Sequence, residues 1–224
     1  MNTLIFDWDG TLADSIDNIV IAMQRAALDV QLPVRSVREV RDIIGLALPD
    51  AVAVLYPELG PTEVRQVVEA YSDNYLHLER QPSALFDGVH AALEALRAGG
   101  FNLAVATGKS RRGLDRMLAS HDLENYFDVT RCADETAGKP DPRMLEEILA
   151  ELEVTAADAC MVGDSEFDIL MGHNAGVLPI AVTYGAMTEE QLRRCRPAHC
   201  VHSFEEFQGW ALPRFRATQS TEVL

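Results

Sequence analysis

The stretch Leu4-Ile5-Phe6-Asp7-Trp8-Asp9-Gly10-Thr11-Leu12 decides the fold. Leu4-Ile5-Phe6 is a short apolar run that ends at Asp-Trp-Asp-Gly-Thr, a buried strand stopping at a turn. Directly behind it Ile16, Ile19, Val20, Met23, Ala27 and Val30 recur at steps of three and four, the spacing of one helix face. Helical periodicity continues over 37–44, 49–55 and 62–78, with breaks at Gly45, Pro57 and Gly60-Pro61. No strand pattern interrupts this block of roughly 65 residues.

Beyond Pro82 the pattern changes. A helix over 88–98 passes through Gly99-Gly100 into the strand candidate Asn102-Leu103-Ala104-Val105-Ala106, read as apolar throughout. A helix over 112–121 then leads to a strand over 127–132. Asp141 is expected as N-cap and Pro142 as the first residue of a helix that ends near Leu152. A strand over 159–162, a helix over 166–175 and a strand over 179–182 complete the alternation. Strands that are apolar throughout, alternating with helices, predict a parallel sheet covered on both faces. The expected architecture is therefore a doubly wound α/β core built from residues 1–14 and 83–224. A helical cap domain, residues 15–82, is inserted after the first strand. No internal repeat or low-complexity tract is present, and the tail beyond Leu212 is expected to fray.

Of 224 residues, 48% are hydrophobic and 24% charged, a globular composition too apolar for a disordered chain. The 19 Lys and Arg against 35 Asp and Glu leave a net charge of −16. Such a surface repels nucleic acid and anionic membranes, so neither is expected as a partner. An anionic substrate must be met by a local metal ion or a few placed cations. The opening residues have no basic lead and meet an acid at Asp7, unlike a secretory signal, and no uncharged apolar run suggests a membrane span. Cys132, Cys160, Cys195 and Cys200 form no Cys-x-x-Cys pair and read as reduced thiols, so a cytoplasmic protein is expected.

In an open parallel sheet the crevice at the carboxyl ends of the strands is where ligands bind. Four segments deliver polar residues to that edge: Asp7-Trp8-Asp9-Gly10-Thr11, Thr107-Gly108-Lys109, Lys139-Pro140, and Gly163-Asp164-Ser165-Glu166-Phe167-Asp168. Gathered carboxylates repel one another unless a positive group joins them. Mg²⁺ suits such a site, since it prefers a few carboxylate oxygens together with water and phosphate. Lys139 can hold further negative charge, and Thr107 with the Gly108 N–H can donate to phosphoryl oxygens. Asp7 is then placed to attack phosphorus, and Asp9 to protonate the departing oxygen and later take a proton from water. Gly10 leaves room for the chain to turn close to the ligand.

These four segments, in this order, resemble the motifs of the haloacid dehalogenase superfamily. The helical insertion resembles the C1-type cap of its phosphoglycolate phosphatase-like branch. Asn174-Ala175-Gly176 and Thr183-Tyr184-Gly185 resemble that branch after the fourth motif. The resemblance implies a Rossmannoid core and hydrolysis of a small phosphorylated metabolite, phosphoglycolate first, through an aspartyl phosphate. It implies Asp7 as nucleophile and Mg²⁺ ligand, and Asp9 as acid/base with its carbonyl on the metal. Asp164 is implied as the third protein ligand, with Asp168 behind it or occasionally on the metal. Thr107, Gly108 and Lys139 would bind the phosphoryl group, as would the Trp8 N–H. Dehalogenase members lack the second acid of the first motif, so Asp9 favours a phosphatase or mutase. A phosphomutase resembling β-phosphoglucomutase is the alternative function. A receiver-type phosphoryl acceptor fits less well, being about half as long and without a lid.

Other features read as structural. Ser165 and Glu166 start a helix, His121 and His173 belong to helices, and Cys160 serves as a small buried hydrophobe. Cys195, His199, Cys200 and His202 crowd thiols and imidazoles without the paired short intervals of a zinc site, and read as a loop and a last short strand. The segment Ile43-Ile44-Gly45-Leu46-Ala47-Leu48-Pro49 suits either a helix–helix turn or a segment closing over the leaving group. Arg38 and Arg41 nearby are candidates to meet a substrate anion, or are solvated helix residues.

Overall fold

The computed structural model describes residues 2–215. Six strands form one parallel sheet in the order β3-β2-β1-β4-β5-β6: β1 (Thr3–Phe6), β2 (Asn102–Thr107), β3 (Val129–Cys132), β4 (Ala159–Gly163), β5 (Leu178–Val182) and β6 (His199–Val201). The uniformly apolar strands are explained by the pleat, which sends alternate residues to opposite faces. Leu4, Phe6, Leu103, Val105, Cys160 and Val162 point to one face, under α5 (Val89–Ala98), α6 (Arg111–Ser120) and α10 (Phe204–Phe215). Ile5, Ala104, Ala106 and Met161 point to the other, under α7 (Arg143–Glu151) and α8 (Glu166–Ala175). Both faces are therefore dry, as a central parallel sheet requires. The chain forms a doubly wound α/β fold.

Between β1 and α5 lie α1 (Ile16–Asp29), α2 (Val37–Arg41), α3 (Leu48–Leu55) and α4 (Pro61–Leu78). They bury an apolar cluster of their own, including Val20, Met23, Val40, Val52, Tyr56 and Val67. A capping box starts α2: Ser36 Oγ accepts from the Glu39 N–H, and the Glu39 carboxylate accepts from the Ser36 N–H. A second cluster, with Ile16, Ile19, Ile44 and Tyr75, extends to Ala186 beside the sheet edge.

Three details differ from the sequence reading. The helix α7 begins at Arg143, because Pro142 itself takes the cap position with αR backbone. Asp141 still caps in part, its Oδ1 accepting from the Arg143 N–H at 2.9 Å. The expected strand at 127 starts at Val129. Two helices without a strong sequence signature, α9 (Glu189–Arg194) and α10, follow β5 and β6. The latter runs past Leu212 to Phe215, and residues 216–224, where the tail is expected to fray, lie outside the described residues.

The helical block closes onto the sheet edge through small residues. A Cβ at Gly108, just after β2, would stand 2.5 Å from the Leu46 carbonyl and 2.7 Å from that of Gly45. Both obstacles are backbone, so the loop must move to admit even a methyl group. Gly108→Ala is therefore expected to destabilise the protein by about 1–3 kcal/mol in urea unfolding, with an unchanged far-UV spectrum.

Candidate active site

The carboxyl ends of β1, β2 and β4 and the loop after β3 bring the predicted residues to one edge. Asp7 follows β1 directly and donates its N–H to the Val162 carbonyl, which pins its backbone to the neighbouring strand. Asp7, Asp164 and Asp168 each offer a carboxylate oxygen within 4.8 Å of the others, and all three residues are buried. The Lys139 ammonium lies 2.6 Å from Asp7 Oδ1 and 2.6 Å from Asp168 Oδ1, with no exposed side-chain surface. One buried cation thus faces three buried acids.

Each acid is held differently. Asp168 lies in the first turn of α8 and its Oδ2 accepts from the Ser165 N–H and hydroxyl, so with Lys139 both its oxygens are engaged. Asp164 Oδ2 accepts from the Ala186 N–H at 2.5 Å, and its Oδ1 from the Thr11 hydroxyl at 3.3 Å. Room for this carboxylate comes from Gly10 and Gly185, where an added Cβ would strike it. Gly10 also has a φ of +79°, which favours glycine. Asp7 differs from both: its Lys139 contact is an ion pair without hydrogen-bond geometry, and among the described residues neither of its oxygens has a hydrogen-bond partner. This leaves an oxygen-only donor set with unspent acceptors, which fits a hard divalent cation.

The electrostatics follow from burial. Desolvation pushes the Asp7 carboxyl up to about 7; Lys139 opposes the shift, while Asp168 and Asp9 add to it. Desolvation also raises Asp164 well above the carboxylate range, with Asp7 and Asp168 adding. For Lys139 burial acts downward, but Asp168 and Asp7 outweigh it and hold the ammonium above its usual value.

Asp9 sits apart from the three acids, lining the cavity. Its Oδ1 accepts from the Ser15 hydroxyl at 2.6 Å, and Lys109 Nζ lies 2.9 and 3.0 Å from its two oxygens. Lys109 also reaches the Tyr75 hydroxyl of α4 at 3.2 Å. Sequence reasoning assigned no role to Ser15, Lys109 or Tyr75. Lys109 stands next to Thr107-Gly108, but its partner lies 100 positions away and Tyr75 comes from the inserted helices. Thr107 is buried at the cavity wall, and its hydroxyl accepts from the Lys109 N–H. Trp8 is fully buried; among the described residues no acceptor meets its backbone N–H or that of Gly108, so both are free to face an anion.

Over these groups lies a cavity of about 590 Å³ between the helical block and the sheet edge. The segment 43–49 lines it, which favours closure over a ligand above a plain helix–helix turn. Arg41 does not: its guanidinium is spent on the Gly185 and Ala186 carbonyls at 2.7 and 3.1 Å. Arg38 is exposed and pairs loosely with Asp42. Among the described residues the acid trio is the one group arranged to hold a metal ion, and Cys195, His199, Cys200 and His202 are not gathered into one. His199 stacks on Trp210, and His202 bonds the Thr183 hydroxyl. All four cysteines are free thiols, and burial pushes the Cys160 thiol up to about 12.

A carboxyl whose pKa is raised by folding stabilises the fold below the ordinary carboxylate range, and that contribution is lost as pH rises through about 7. Without metal, Asp7→Asn is therefore expected to exceed the wild type in stability at pH 8 by a few kcal/mol, the gap closing towards pH 4. Urea unfolding in EDTA across this range measures it, and a gap independent of pH would contradict the assigned shift.

The comparisons with known proteins agree with this geometry. The family model described as haloacid dehalogenase-like hydrolase matches residues 4–182. A protein of Dickeya dadantii named "Probable phosphatase IndB" is 36% identical over 212 residues, covering 93% of this chain and 92% of that one. A phosphoglycolate phosphatase of Vibrio cholerae is 31% identical over 202 residues, covering 87% and 89%. The crystal structure of a predicted phosphatase from Clostridium acetobutylicum superposes with a TM-score of 0.85 at 25% identity, covering 95% and 98%. The chain belongs to the haloacid dehalogenase-like hydrolase family, in its phosphoglycolate phosphatase-like branch, and is a phosphatase.

Proposed function

We propose that the enzyme is a Mg²⁺-dependent phosphomonoesterase that acts on a small phosphorylated metabolite through an aspartyl phosphate on Asp7. The observation that carries this is the Asp7 carboxylate itself, buried and free of hydrogen-bond partners beside Lys139, Asp164 and Asp168. Asp7 attacks phosphorus and the ester oxygen departs, taking a proton from Asp9. Water then attacks the acyl phosphate, gives its proton to Asp9, and releases phosphate and the Asp7 carboxylate. Ser15 and Lys109 fix the Asp9 rotamer for both transfers. Lys139, the Thr107 hydroxyl and the Trp8 and Gly108 N–H groups hold the phosphoryl oxygens. The residues that would hold Mg²⁺ are Asp7, Asp164 and the Asp9 carbonyl, with Asp168 fixing Lys139 behind them. Bound there, the ion supplies charge neutralisation and alignment for phosphoryl transfer. Preorganised charge of this kind suits a reaction whose uncatalysed rate is among the slowest known.

In this reading residues 15–82 act as the cap over a core of 1–14 and 83–224, and the four free thiols support a cytoplasmic enzyme. The relatives named phosphoglycolate phosphatases make phosphoglycolate the first substrate to assay. EDTA is expected to abolish phosphate release and Mg²⁺ to restore it; restoration by Zn²⁺ alone would contradict the oxygen donor set. Asp9→Asn is expected to block esters with poor leaving groups while leaving slow release of 4-nitrophenolate. Equal loss on good and poor leaving groups would remove Asp9 from the acid role. Isomerisation of a sugar phosphate without phosphate release would point instead to a mutase.

A further inference from the structure

The cavity wall contains a feature that phosphoryl transfer does not use. Glu79, at the C-terminal end of α4, lines the cavity with a side chain only 7% exposed. Its Oε2 takes the Arg116 guanidinium of α6 at 2.9 Å, but its Oε1 is buried and has no hydrogen-bond partner among the described residues. A buried, unspent carboxylate oxygen on a residue that lines a ligand cavity is an acceptor for a hydroxyl or amino donor that a ligand brings to that wall. It is equally a repulsive element against a carboxylate.

The rest of the lining agrees. Its acids Asp7, Asp9, Asp50, Glu79 and Asp134 outnumber its bases Lys109, Arg112 and Arg116. Lys109 is engaged by Asp9 and Tyr75, Arg116 is engaged by Glu79, and Arg112 is exposed. Ile19, Met23, Ile44, Leu46 and Val68 offer a broad apolar wall. The volume of about 590 Å³ falls within the range of roughly 300–1,000 Å³ typical of pockets for ligands far larger than a two-carbon acid ester.

On the basis of the phosphomonoesterase function proposed above, we infer that the preferred leaving group is a bulky, uncharged alcohol with an apolar face and a hydroxyl or amino donor, and that Glu79 selects it by accepting from that donor. The apolar face packs on the helical wall while the donor reaches Glu79 Oε1. The small anionic glycolate has neither the size to use that wall nor a buried, unengaged cation for its carboxylate.

Phosphate release with Mg²⁺ is measured from phosphoglycolate, from ribonucleoside 5′-monophosphates and hexose phosphates, and from the donor-free 2-naphthyl and 4-nitrophenyl phosphates. At least one bulky, hydroxyl-bearing ester is expected to exceed phosphoglycolate in kcat/KM by about tenfold or more. Glu79→Leu is expected to lower the ratio of kcat/KM for that ester over 2-naphthyl phosphate by about tenfold, chiefly through KM. Glu79→Gln, which keeps an acceptor oxygen, is expected to lower it less. The inference is overturned if phosphoglycolate is the best substrate and Arg112→Ala impairs its use, or if a folded Glu79→Leu protein keeps the wild-type ratio. Release from none of these esters overturns the phosphomonoesterase function itself, whereas release from 4-nitrophenyl phosphate with no discrimination at Glu79 overturns only the inference.

Discussion

The constraint on which the site depends is the mutual repulsion of the buried carboxylates of Asp7, Asp164 and Asp168. Three carboxylates whose oxygens come within 4.8 Å of one another would neutralise or push apart, and a single buried ammonium, Lys139, touches two of them. The compensation is deliberately incomplete. Asp168 is fully engaged and Asp164 is held by Thr11 and Ala186, while Asp7 keeps both oxygens without hydrogen bonds. That residual imbalance is what a divalent cation and a phosphoryl group would relieve in the proposed mechanism. Removing one partner of a buried ion pair is usually costly, so Lys139 holds the fold at this edge in addition to its proposed contact with the phosphoryl group.

The fold supplies this arrangement by ending strands at the same edge. The pleat commits Leu4 and Phe6 to one face and Ile5 to the other, so the strand is locked from both sides and Asp7 emerges at a fixed height. Glycines at 10 and 185 then clear the volume that the Asp164 carboxylate occupies. Closure from the other side is equally specific. Arg41 grips the carbonyls of Gly185 and Ala186, whose next atoms include the N–H that holds Asp164. The helical block and the acid cluster are thereby joined through one short loop.

Much of this is legible in the sequence, and for physical reasons. Strand runs such as Leu103-Ala104-Val105-Ala106 report burial on both faces, and polar residues just past such runs have few structural uses. Lys139 stands out because Pro140-Asp141-Pro142 fixes it at a helix entry, although the helix itself starts one residue later than the Asp141 cap implied. What the linear pattern hides are groups whose meaning depends on the packing of helices against the sheet. Lys109 and Ser15 acquire their roles from Asp9, and Tyr75 acquires its role when α4 is laid over the crevice. Arg41 reads as a candidate anion ligand because its carbonyl partners, 144 and 145 positions away, belong to an irregular loop with no periodic signal. Glu79 is likewise an ordinary helix-end acid until its second oxygen is found buried without a donor.

The central claim is that phosphorus is transferred first to the Asp7 carboxylate and only then to water, and the stereochemical course at phosphorus tests it most directly. With a phosphorothioate ester made chiral at phosphorus by two oxygen isotopes and hydrolysed in water of the third, two successive in-line displacements return chiral thiophosphate with net retention of configuration, as the account predicts. Net inversion would mean that water attacks the ester in a single step, and would contradict it.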